Sequence, residues 1–132
     1  MRKWLGALGV CFAGLTLLSC SSGQQLLSIA ITPSSQTFLS PDPSANVQLV
    51  ALGTYTHPPA TKDLTTQVTW ASNTPQVAVV NSTGLLSPAG NGCGGAIVSA
   101  TLKNNNPTGN VVVGTMTVTV DDASDPTCPQ PQ

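Results

Sequence analysis

Val68-Thr69-Trp70-Ala71-Ser72-Asn73-Thr74-Pro75-Gln76-Val77-Ala78-Val79-Val80-Asn81-Ser82-Thr83-Gly84-Leu85-Leu86-Ser87 decides how this chain folds. Val68 and Trp70 alternate with Thr69 and Ala71, which is the period of a half-buried strand. Asn73-Thr74-Pro75 breaks the pattern, because proline lacks a ladder donor and restricts the residue before it. Val77 to Val80 is a second short run, rich in β-branched residues. Asn81-Ser82-Thr83-Gly84 is a turn in which Gly84 is free to take positive φ. Leu85-Leu86-Ser87 opens a third strand. The stretch therefore reads strand, corner, strand, turn, strand around Trp70, the only tryptophan outside the first twenty residues.

Working outward, the same period recurs on both sides. Leu27, Ile29 and Ile31 alternate with Ser28, Ala30 and Thr32, and Gln36 to Leu39 resumes after Pro33. Val47, Leu49, Ala51, Gly53 and Tyr55 share one face of a long strand. Thr56 to Asp63, with His57-Pro58-Pro59, reads as an irregular connection. Ala96, Val98, Ala100 and Leu102 form one face of a penultimate strand. In the closing strand, Val112, Met116, Val118 and Val120 face one way and Thr115, Thr117 and Thr119 the other. Lys103 to Asn110 joins these two as a long hairpin loop, and pairing 102 with 111 brings Cys93 near Val120. The chain shows no helical period outside its start and no repeat. Seven to eight short strands with turns roughly every 8–12 residues predict an all-β, immunoglobulin-like sandwich of two sheets.

Composition narrows the function classes. Charged residues are 7% of the chain, against roughly a quarter in ordinary soluble domains. From Cys20 onward there are two lysines and five aspartates, a net charge of −3. Nucleic acid is excluded as a partner, since no basic footprint exists to meet phosphates.

The first twenty residues have their own logic. Arg2-Lys3 is a positive start, and Trp4 to Leu18 is an apolar run shorter than the ~20 residues of a membrane-spanning helix. Export is the expected reading, with a retained anchor helix as the alternative. Leu17-Leu18-Ser19-Cys20 resembles the lipobox of bacterial lipoproteins, although Leu18 stands where a small residue is more usual. The resemblance implies cleavage before Cys20 and acylation of that residue. Ser21, in place of an aspartate, then implies the outer membrane of a Gram-negative cell. Residues 1–19 are thus a signal peptide, 20–25 a tether, 26–121 the sandwich, and 122–132 a Pro- and Gln-rich tail that looks disordered. Cys93 and Cys128 remain as an even pair in an oxidising compartment, which predicts a disulfide pinning the tail. A free thiol is the other option for them.

Leu27-Ser28-Ile29-Ala30-Ile31-Thr32-Pro33, Val68-Thr69-Trp70-Ala71-Ser72-Asn73, Val77-Ala78-Val79-Val80, Gly84-Leu85-Leu86 and Gly114-Thr115-Met116-Thr117-Val118-Thr119-Val120 together resemble the bacterial immunoglobulin-like domains of group two. That resemblance implies a spacer or binding module on cell-surface or polysaccharide-associated proteins, with no shared catalytic residues. The chain departs from the pattern in its long 103–110 loop, its cysteine pair and its single copy.

Sharper chemistry finds little support. His57 with Asp63 and a serine is a nominal triad, but no Gly-x-Ser-x-Gly elbow is present. The chain from Cys20 onward has no glutamate, so the paired carboxylates of a glycosidase would have to come from loop aspartates. Asp121, Asp122 and Asp125 are candidate calcium ligands, weighed against a solvated acidic tail. Trp70 is a candidate sugar platform, weighed against a core anchor. Asn104-Asn105-Asn106 and Tyr55 are candidate contacts on an exposed loop. The expected function is a non-catalytic, lipid-anchored envelope module with no cofactor and no resident metal. Its partners would be the membrane, through the lipid, and a polysaccharide or envelope protein, through loops. A structural lipoprotein without a small ligand is the alternative.

Overall fold

The computed structural model describes residues 23–90, 92–104 and 108–128, all strand, turn or loop. Residues 1–19, expected to be a signal peptide, and Cys20 lie outside these residues. In chain order the strands are β1 (Gln25–Thr32), β2 (Ser35–Phe38), β3 (Val47–Gln48), β4 (Val50–Thr56), β5 (Ala60–Asp63), β6 (Thr69–Ser72), β7 (Ala78–Val80), β8 (Leu85–Pro88), β9 (Gly94–Lys103) and β10 (Val111–Val120). They form three sheets, ordered β1-β4-β5, β2-β10-β9-β6 and β3-β8-β7. Ten strands replace the expected seven to eight because residues 60–63 add β5 and the long strand breaks at Leu49. There the Leu49 N–H donates to the Gly84 carbonyl at 2.8 Å, so β3 pairs with β8 while β4 pairs with β1. The immunoglobulin-like β-sandwich stands, with a small third sheet at that corner.

The two larger sheets enclose the core. Ile29 and Ile31 of β1, Leu49 and Ala51, Trp70, Leu86, Val98 and Ala100 of β9, and Met116, Val118 and Val120 of β10 are all buried. Apart from Leu86, whose strand was given no inward face, these are the residues that the period-2 pattern placed inward. Packing is close where β1 crosses β10: a Cβ on Gly114 would collide with the Ile29 carbonyl, so only glycine lets the layers meet there.

Four expectations need correction. Leu26, not Leu27, enters the core, with Leu27 58% exposed. A register shift between Leu26 and Ser28 is the cause, since one extra residue inverts the faces around it. Residues 60–63 are not irregular but form β5, paired with β4 from Tyr55↔Ala60 to Leu52↔Asp63. The β9–β10 hairpin pairs Leu102 with Val112, one residue from the predicted register, which sets Val120 opposite Gly94. The described part of the tail, 122–128, is a run of turns rather than disorder, closed by a Cys128 N–H to Asp125 carbonyl bond of 3.1 Å.

One pairing was not anticipated. β2 lies parallel to β10, from Ser35↔Thr117 to Phe38↔Val120. The chain leaves the first sheet at Thr32-Pro33 and joins the second, so segments from both halves of the chain share one ladder. The Asp121 N–H extends that ladder, donating to the Phe38 carbonyl at 2.8 Å.

Candidate binding surface

Trp70 belongs to the core. It is 9% exposed, and its Nε1–H donates to the Thr65 carbonyl at 2.8 Å. Thr65 is held in turn by its neighbours. Its Oγ1 accepts from the Ala51 N–H at 3.0 Å and donates to Asp63 Oδ1 at 2.5 Å. Gly84, at φ 81°, packs against the far edge of the indole, where a side chain would crowd Trp70 and the Leu49 carbonyl. The tryptophan is a keystone of the sheet-switching corner and presents no ring face for stacking a sugar.

The nominal triad is not assembled. The Asp63 carboxylate is occupied by the Thr65 hydroxyl and N–H, which hold it below the usual carboxylate pKa. His57 sits in the turn between β4 and β5, at φ 52°, beside a cavity lined by Gly23, Gln25, Leu27 and Thr56.

At the opposite end of the sandwich, Cys93 and Cys128 are joined in a disulfide with Cα atoms 5.7 Å apart, and Cys128 is buried. The tail is pinned as expected. Asp122 and Asp125 each accept from a hydroxyl and N–H two residues on, Ser124 and Thr127 respectively. The Thr127 hydroxyl and N–H keep Asp125 below the ordinary carboxylate pKa. Ser44, hydroxyl first, does the same for Asp42. The spacing Asx-x-Ser/Thr recurs at 42, 63, 81, 122 and 125, and each time one side-chain oxygen organises a turn. The five serve the backbone rather than a ligand.

Calcium ligation by Asp121, Asp122 and Asp125 finds no assembled site among the described residues. The three candidate ligands that do gather are Cys93, Asp125 and Cys128, and there the two sulfurs are spent on each other. Asp121 is buried, with neither carboxylate oxygen hydrogen-bonded.

The outer face of the β2-β10-β9-β6 sheet is a coherent feature. Its outward residues line up in rows across the strands. Thr69, Thr101 and Val113 form one row and Ala71, Ser99 and Thr115 the next. Ile97, Thr117 and Ser35 follow, then Gly95, Thr119 and Thr37. Neighbours within a row stand about 4.5–5.5 Å apart at Cβ. Lys103, at one corner beside Val111, is the single charged residue on this face. Ile97, Val111 and Val113 are 46%, 57% and 53% exposed, a high value for apolar β-branched residues. The sequence had shown Thr115, Thr117 and Thr119 turned outward. The rows themselves depend on cross-strand register, which no single strand reveals. The only signal available was that outward positions alternate hydroxyls with exposed Ile and Val, where a merely solvated face would carry charge.

Asn104, from the loop expected to bind, is structural. Its Nδ2 donates to the Leu26 carbonyl at 3.0 Å and its Oδ1 accepts from the Leu26 N–H at 3.4 Å, tying the hairpin to the bulge in β1. Asn105 and Asn106 lie outside the described residues. Tyr55 is half-buried, with Lys62 Nζ 4.7 Å above its ring.

Residues 26–125 match the family model for the bacterial Ig-like domain, group 2. A stretch of 75 residues, 57% of the chain, is 41% identical to "Ice-binding protein 1" of Shewanella frigidimarina (strain NCIMB 400). The stretch spans 8% of that much longer protein.

Proposed function

From the premise that this chain belongs to the bacterial Ig-like domains of group 2, we propose that it is a non-catalytic, lipid-anchored envelope module that holds an uncharged polysaccharide. Family and disulfide both point to an extracellular or envelope setting, where such bridges persist. Acylation of Cys20 in the outer membrane is the finer reading, supported by the lipobox-like Leu17-Leu18-Ser19-Cys20.

The observation that carries the binding role is the hydroxyl-and-methyl face. Threonine offers a donor, acceptors and a methyl in one stiff side chain. Six threonines in register, with almost no charge, suit a partner that presents hydroxyls and C–H patches in a repeating array. A charged polymer would find only Lys103, at one corner, to pair with there. The face has no aromatic platform, so each contact is weak and affinity comes from many repeats along one chain. The loop at 103–110 is the less favoured surface because Asn104, near its start, is bonded to Leu26 beside the tether.

The test is sedimentation of the purified protein with insoluble cellulose, chitin and cell-wall sacculi, beside partition into growing ice. Binding to one of the polysaccharides is expected, and it is expected to fall at least tenfold in Thr101→Lys/Thr115→Lys, two exposed or half-exposed positions. Partition into ice alone would transfer to this chain what the relative's name says of that protein. Binding to neither would favour the structural lipoprotein without a ligand.

A further inference from the structure

The charges of this domain are sorted along its long axis. β1 begins at Gln25, opposite Thr56, and Leu26 beside it is bonded to Asn104 of the β9–β10 hairpin. The tether therefore enters at the hairpin end. Lys62 and Lys103, the only lysine or arginine residues after the leader, are both there. Lys62 Nζ donates to Gln24 Oε1 at 2.6 Å, within the tether itself. Lys103 and Asn104 line a cavity of about 160 Å³ together with Gln24, Leu26 and Tyr55. His57 lies at the same end, in the β4–β5 turn beside Gly23.

Four of the five aspartates lie at the other end. Asp121 follows the last residue of β10. Asp122 and Asp125 belong to the turns that the disulfide holds against Cys93. Asp42 precedes Pro43, which packs against Gly90 a few residues before Cys93. Asp63 alone stands midway, already satisfied by Thr65.

We propose that the tether end rests on an anionic lipid surface, with Lys62 and Lys103 directed at headgroup phosphates and the aspartate end pointing away. The inference rests on acylation at Cys20. Five residues link Cys20 to Gln25, a reach of at most about 17 Å, so the lysines stay within one or two Debye lengths of the bilayer. Exposed Leu27 and Val111 flank them, and half-buried Tyr55 adds the kind of aromatic that favours the water–lipid boundary. Each lysine near an anionic surface favours contact roughly fivefold. The repelled aspartates at the far end bias the same orientation. The hydroxyl-rich sheet face then stands along the membrane normal, open to a polymer lying over the bilayer.

The experiment uses the full acylated protein in vesicles of phosphatidylcholine alone and of phosphatidylcholine with roughly one-third phosphatidylglycerol. Amine-reactive ester labelling of Lys62 and Lys103, read by peptide mass, is compared with carbodiimide labelling of Asp122 and Asp125. Lysine labelling is expected to slow at least threefold in the anionic vesicles and to recover in 1 M salt, with aspartate labelling the same in both. Equal lysine labelling in the two vesicles, or protection of the aspartates, overturns the orientation while leaving acylation intact. An intact mass without acyl chains overturns the anchor and the orientation together.

Discussion

Replacing Thr65 with valine keeps the shape of a buried residue and removes one hydroxyl that serves two elements. The Ala51 N–H loses its acceptor, and Asp63 loses a donor. Ala51 is fully buried at the point where the chain has just switched sheets, so no solvent replaces the bond. An orphaned buried donor costs about 1–3 kcal/mol. In a domain of this size that corresponds to a fall in Tm of roughly 8–16 °C for a 2 kcal/mol loss. Thermal and urea unfolding, followed by circular dichroism, read the effect directly. Thr65→Ser, which keeps the hydroxyl, is the control and should lose less than half as much. The pH dependence adds an independent check. The folded pKa of Asp63 is depressed, mainly by the Thr65 hydroxyl and then by its N–H. Its stabilising share is therefore present above the unfolded value of about 4 and disappears as pH falls through the folded pKa. The gap between wild type and Thr65→Val should narrow below about pH 4 and should leave the Ala51 part behind. A gap under about 0.5 kcal/mol at neutral pH, or a serine variant as damaged as the valine one, refutes this account of the corner.

Trp70→Ala should destabilise by roughly 3–5 kcal/mol, seen in the urea midpoint, since it opens a cavity and strips the Thr65 carbonyl of its donor. Reduction of Cys93–Cys128, which closes a loop of 35 residues, should cost up to about 4 kcal/mol; calorimetry with and without reductant measures it. Gly114→Ala should lose about 1–3 kcal/mol by forcing β1 away from β10, and an unchanged melting temperature would show that the layers do not meet at Ile29. Mass spectrometry of membrane-extracted protein should find an acylated N-terminal Cys20, whereas a soluble chain starting elsewhere contradicts it.

Much of the fold was legible because each strand carries its own alternation. Val98 and Ala100 against Ile97 and Ser99, or Met116 and Val118 against Thr115 and Thr117, announce a buried and an exposed face without reference to any neighbour. The burial of Trp70 and the bridging of Cys93 to Cys128 followed from local pattern and from cysteine count. What stayed hidden was relational. Leu26 and Leu27 are adjacent leucines, and only the pairing with Thr54 and Tyr55 decides which enters the core. β5 carries Thr61, Lys62 and Asp63, an exposed edge with no apolar period to detect. The parallel match of β2 to β10 joins segments some eighty residues apart, and no local signal encodes it. The tail looked disordered because its Pro and Asp content was read as composition, when Asp122-x-Ser124 and Asp125-x-Thr127 are turn instructions. The same gap applies to the sheet face. Its threonines could be seen singly, but a row exists only once three strands are in register.

The disulfide also settles how the domain would carry a mechanical load. A pull on residues beyond Cys128, resisted by a tether at Gln25, enters the fold through Cys93 instead of through the end of β10. The segment 94–127 between the cysteines is short-circuited and adds no length under tension. The force then runs down β9 from its first residue, in line with strands that pair with it along their full length. Strands loaded along their axis must break many ladder bonds together, whereas a pull across the sheet opens them one at a time. Tension applied between Gln25 and the tail is thereby transmitted with little stretch.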